Sequence, residues 1–240
     1  HNLIDRGQFV KELQIENQAK QMTMDPRAQA KFHDFLLHWL EMNAEELPTK
    51  STQKYPNFSS ILALDLRRSL FRTIEKIVWE KKGHFDEFLR MESFESNRAI
   101  AEYYGMQFPK EKKATDFVTF HSSKIKRQGL HTHPYLLASH SYAEESSPIH
   151  RGVFVSRKIL GRTLRPPKEA VSFSNTDFDP SWTMRQKVST LTKPANCMSC
   201  HDLINSTGFS LEGFDAVGKS RDEMNGEPIN LAVKYMDEEG

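Results

Sequence analysis

Thiols are scarce in this chain: only Cys197 and Cys200 occur among 240 residues. A disulfide-stapled scaffold is thereby excluded, because such frameworks need several pairs spread along the sequence. Charge of one sign is lacking too. The 33 basic and 32 acidic residues leave a formal net charge of +1, so no global field draws the chain to nucleic acid or an anionic membrane. No run of about eighteen apolar residues occurs, which argues against a transmembrane segment. The opening HNLIDRGQFV lacks the basic-then-apolar pattern of a signal peptide and reads as a mature or trimmed end. No tract is compositionally disordered and no internal repeat is visible, so the chain is expected to fold as one large domain or two small ones.

What is present is mostly helical punctuation. In MDPRAQAKFHDFLLHWLEM, Asp25 suits an N-cap and Pro26 the first helical position. Ala28, Phe32, Phe35, Leu36, Trp39 and Leu40 then follow at the spacing of one helix face. A second stripe runs through Ile61, Leu62, Leu66, Leu70, Ile74, Ile77 and Val78, and Gly83 suits its terminus. ESNRAIAEYYG predicts a short third helix closed by Gly105, whereas FVTF is at most a brief extended piece. Further on, Ser147 and Pro148 open a helix that Gly161 closes. The proline-bearing stretch RTLRPPKEAVSFSNTDFDPS is expected to be extended and to lead into a helical WTMRQKVSTLT. The fold class is therefore mainly α. A helical N-terminal lobe is expected over residues 1–110, and a second domain with long loops over 111–240.

Within the second domain, Cys197-Met198-Ser199-Cys200-His201 is C-x-x-C-H, the signature of covalent haem attachment, so residues 111–240 are expected to form a cytochrome c-like haem-binding domain. On a helical turn the two sulfurs reach two vinyl groups along one porphyrin edge, and the following imidazole projects toward the iron. The cofactor expected is thus one covalently bound haem c, held by Cys197, Cys200 and His201, with His201 as metal ligand. Three other readings compete. A Cys197–Cys200 disulfide closes too small a loop to add much stability and leaves His201 unexplained. A thioredoxin-like pair needs a preceding strand in a βαβ setting, and here a helix precedes. A structural zinc site needs about four ligands, and no second cysteine pair exists.

The sixth iron ligand separates an electron carrier from an open, reactive iron. Candidates are Met184, Met224, His133 and His140, each with a plain structural explanation as well: core filling for a methionine, a turn for the histidine before Pro134. Arg151, Arg162, Arg165 and Arg221 are candidate propionate partners, with Arg151 and Arg162 favoured. Phe209, Phe214 and Trp182 are expected to wall the porphyrin. Asp215 is expected to cap a turn.

The runs SPIHRGVFVSRKILGRTLRPP, TMRQKVSTLTKPANCMSCHDLIN and GFSLEGFDAVGKSR resemble the central region of large secreted planctomycete-type cytochrome c proteins. DPRAQAKFHDFLLHWL and NRAIAEYYG resemble the domain before it. The resemblance spans most of residues 24–232 and departs at Ser206-Thr207, where relatives usually carry Pro-Leu. The helical domain that usually follows is missing, which reads as a fragment or a trimmed relative. The resemblance implies haem and export but supplies no reaction. The chain is therefore expected to be an exported, periplasmic or secreted monohaem cytochrome transferring electrons to a redox partner protein, within a larger secreted assembly in one version. The alternative is a haem enzyme with an open distal site that activates peroxide or oxygen.

Overall fold

The computed structural model describes residues 12–42, 46–80, 83–121, 127–164 and 178–234, and divides into two compact units, residues 1–46 and 47–240. In the first unit, α1 (Glu12–Thr23) is followed by α2 (Pro26–Trp39). Asp25 caps α2 as expected, accepting the Arg27 N–H at 2.9 Å, and Pro26 occupies the first turn. Phe35 stacks between Phe32 and Trp39 along the helix.

The second unit is built on α3 (Ser60–Glu75), which runs into a π-helical turn at Lys76–Glu80. Leu62, Leu66, Leu70, Ile74 and Ile77 of the expected stripe are buried, while Ile61 is 71% exposed. After α4 (Phe85–Arg90), β1 (Ser93–Ser96) pairs antiparallel with β2 (Val118–His121), Phe94 opposite Phe120. The far side of β1 bonds to α3: the Glu95 N–H donates to Thr73 Oγ1 at 2.9 Å, and Ser69 Oγ donates to the Glu95 carbonyl. Two α3 side chains thus satisfy strand groups that, among the described residues, have no further strand to pair with. α5 (Arg98–Tyr103) is capped by Asn97 and stopped by Gly105 at φ 72°. The β1–β2 pairing spans residue 110 within the second unit.

A 3₁₀ turn (Leu130–Thr132) leads into α6 (Pro134–Ser139). α7 (Pro148–Phe154) starts as expected, with Ser147 Oγ accepting the His150 N–H at 3.2 Å, and continues as a second π-helical turn at Val155–Ile159 before Gly161. Most of the expected extended connection, residues 165–177, lies outside the described residues. α8 (Met184–Leu191) opens with a capping box in which Thr183 and Gln186 bond reciprocally. α9 (Ala195–Phe209) then carries both cysteines, and a small hairpin of β3 (Glu223–Met224) and β4 (Glu227–Pro228) turns at Asn225-Gly226, both at positive φ. The fold is mainly α with only two-stranded sheets. Among the described residues, no helix is long and apolar enough to cross a membrane.

The principal helix contact is α7 against α9, and glycine sets its distance. A Cβ on Gly208 would lie 2.0 Å from the Pro148 carbonyl oxygen, and one on Gly152 2.1 Å from that of Ile204. No side chain fits at either place, so the two backbones meet directly. The pairing of 148 with 208 and 152 with 204 makes the helices antiparallel. Thr207 Oγ1 adds contacts at 3.2 Å to the Gly152 carbonyl and to Ser156 Oγ. Thr207 thus ties α9 to α7.

Candidate functional site

The motif occupies the first two turns of α9. Pro194 precedes the helix, and its carbonyl accepts the N–H groups of Cys197 at 2.9 Å and Met198 at 3.1 Å. With about 100° of rotation per residue, Cys200 falls about 60° to one side of Cys197 and His201 about 40° to the other. The three side chains therefore leave one face within an arc of about 100°, the face that Ile204 and Gly208 continue into the α7 contact. Both thiols are free and half-buried.

His201 is half-buried, and its Nδ1 lies 3.2 Å from Asn205 Oδ1, one helical turn on. Asn205, buried to 7% exposure, donates from Nδ2 to Thr192 Oγ1 at 2.9 Å, and the Thr192 hydroxyl donates to the Val188 carbonyl at 2.8 Å. Neither Asn205 nor Thr192 was expected at the site from sequence. The available signal was the i, i+4 spacing of Asn205 from His201 on a helix; the Thr192 contact comes from packing of α8 on α9. A cleft of about 370 Å³ opens on the other side of α9, lined by Arg185, Lys193, Met198, Asp202, Asn205 and Phe209 among others. None of Cys197, Cys200 and His201 lines it.

A haem c would have to find two thiols and one imidazole nitrogen with a free lone pair on a common face, and these residues fit that requirement. Among the described residues, no group of three or more His, Cys, Asp or Glu is gathered as a metal-ion site. The zinc alternative has no ligand set there.

The remaining candidates have other engagements. His133 is fully buried: its Nδ1 accepts the Tyr135 N–H at 3.2 Å and its Nε2 lies 3.1 Å from Ser69 Oγ. Both ring nitrogens are used in the interior, and burial holds the ring well below the usual imidazole pKa. It is not placed to bind iron. Met184 is fully buried in the first turn of α8, next to Arg185, whose guanidinium covers the Phe209 ring at 4.7 Å. Phe209 lies about 12 Å of helix rise beyond His201. Met224 is buried in the β3 strand. His140 stacks on Phe154 of α7 at 4.3 Å.

The arginine expectations need correction. Arg151 is 1% exposed, and its guanidinium donates to the carbonyls of Leu211, Phe214, Leu137 and Asp215 and to Ser141 Oγ, near the Glu212 carboxylate. Its two terminal nitrogens clamp the GFSLEGFD segment to α6 and α7 while Nε is buried with no partner among the described residues, so the guanidinium is held in the interior and not offered to a propionate. Arg221 likewise bonds the Glu212 carboxylate at 3.1 Å and Ser146 Oγ at 2.7 Å. Arg162 is exposed just beyond Gly161, and Arg165 lies outside the described residues. Phe214 sits under the Arg127 guanidinium at 4.7 Å, as part of this buried cluster. The Trp182 carbonyl accepts from Asn225 of the hairpin, and its ring lies 6.2 Å from that of Phe178. Asp215 caps its turn as expected, accepting the N–H groups of Val217 at 3.0 Å and Lys219 at 2.8 Å.

Two family models match the chain in tandem. Residues 1–106 match PSD4, a protein of unknown function (DUF1592), and residues 127–224 match PSCyt3, a protein of unknown function (DUF1588). These domains are characteristic of planctomycete cytochrome c-type proteins. No curated protein and no solved structure matches. Residues 107–126 lie between the two matched segments, and β1 and β2 pair across them.

Proposed function

We propose that the protein is an exported monohaem c-type cytochrome that carries electrons, with Cys197 and Cys200 as thioether donors and His201 as iron ligand. The observation that supports this most is the common face shared by two free thiols and an imidazole at the leading end of α9. Haem c, when bound, supplies a one-electron ferric/ferrous couple. The chain's own residues do the rest. Each thiol would add its S–H across one vinyl group, fixing the ring to α9. His201 presents a nitrogen from a helix that the α7 contact holds in place. A redox partner protein is implied for the electron. Attachment of haem c takes place outside the cytoplasm, so the periplasm or the exterior follows as location.

The test is expression with export and haem-maturation functions, followed by denaturation in alkaline pyridine. The expected absorption band is that of a haem with two thioethers. A band of unmodified haem, or none, overturns the reading.

One observation favours a second reading, a haem enzyme with an open distal position. Met184 is fully buried, and both ring nitrogens of His133 are engaged in the interior. The resting ferric spectrum decides between the two. A low-spin iron supports the carrier, whereas a high-spin iron that binds cyanide rapidly supports the enzyme.

A further inference from the structure

We propose that Asn205 and Thr192 are positioning residues that set the tautomer of His201 and tune the iron it binds, an inference whose second half rests on the haem reading above. The direction of each hydrogen bond is fixed by the last group in the row. The Val188 carbonyl can only accept, so the single Thr192 hydroxyl proton, 2.8 Å away, goes to it. Thr192 Oγ1 then faces Asn205 as an acceptor, and the amide nitrogen must donate to it at 2.9 Å. That turns the amide oxygen, an acceptor only, to His201 Nδ1 at 3.2 Å. Nδ1 therefore carries the proton, and the Nε2 lone pair is left free for a metal.

A helix carbonyl thus dictates, through two side chains, which imidazole nitrogen is available. Asn205 and Thr192 are 7% and 3% exposed, so water does not compete freely for these bonds. An acceptor on Nδ1–H also increases the electron donation of the imidazole, which favours ferric over ferrous iron.

The experiment has two arms. The first uses haem-free protein with ¹⁵N-labelled histidine and reads the His201 tautomer from long-range ¹H–¹⁵N correlations. The wild type is expected to hold Nδ1–H. Thr192→Val removes the acceptor that orients the amide and should shift the population toward Nε2–H, whereas Thr192→Ser should keep it. A wild type protonated at Nε2, or a Thr192→Val spectrum equal to wild type, overturns the inference whether or not haem binds.

The second arm measures the midpoint potential of the haem-loaded protein. Asn205→Leu deletes the acceptor and should raise the potential, while Asn205→Asp strengthens it and should lower it. Shifts of the same sign in both variants are what a merely structural disturbance gives, and they overturn the tuning role. If the wild type takes up no haem, the cytochrome reading fails and the tautomer arm alone decides the positioning role.

Discussion

The two halves of α9 meet opposite fates. From Ile204 to Phe209 the helix is buried, with Gly208 against the Pro148 backbone, Ile204 against Gly152, and Thr207 bonded across to α7. From Ala195 to His201 it is half-buried or exposed and has free thiols. One half holds the helix and the other offers reactive atoms. In the leading half His201 bonds to the buried Asn205, and this contact bears on the chemistry of the ring rather than on the fold. Stability and ligation should therefore be separable by mutation along one helix.

The largest effect is expected in the packed half. Gly208→Ala or Gly152→Ala drives a methyl group into a backbone carbonyl and should cost about 4 kcal/mol, read by urea unfolding. A cost under about 1 kcal/mol would mean that the two helices do not meet as described. Next is Arg151→Met, which leaves several carbonyls and part of the Glu212 charge unpaired in the interior and should cost about 3 kcal/mol.

A pH effect comes third. Burial lowers the pKa of His133 well below 6.5, so the folded protein keeps it neutral while the unfolded chain binds a proton. Its contribution is complete above the unfolded value and is lost as pH falls below it, with a slope of up to about 1.4 kcal/mol per pH unit. His133→Gln should flatten the stability curve between pH 7 and 5; an unchanged slope would show that the ring is not held neutral. The smallest change is expected at the motif. Cys197→Ser and Cys200→Ser should each alter the stability of the haem-free protein by less than about 1 kcal/mol, while each removes one thioether from the loaded protein.

Element ends were legible because their signals are local. Asp25-Pro26, Ser147-Pro148, Gly105 and Gly161 all act within a few residues of themselves, and all hold in the structure. The helical setting of the motif was legible for the same reason. The strand β1 was not: it has four residues, and what makes it a strand is β2 some twenty residues later together with two α3 hydroxyls. The Asn225-Gly226 hairpin had a local signal that went unread. Arg151 shows the opposite failure. Its position near the motif in a family-like stretch suggested a propionate partner, but its burial depends on carbonyls from residues 137, 211, 214 and 215, a set that no spacing rule gathers. The π-helical turns after α3 and α7 had no signal in the apolar periodicity either.

The central claim is that the leading end of α9 is where a haem becomes part of the chain. Intact-protein mass spectrometry under denaturing conditions, on material exported in a host with haem-maturation functions, tests it most directly. The account predicts one added haem mass on the wild type and none on the Cys197→Ser/Cys200→Ser double variant. An unmodified wild-type mass, or a haem mass that persists in the double variant, would contradict it.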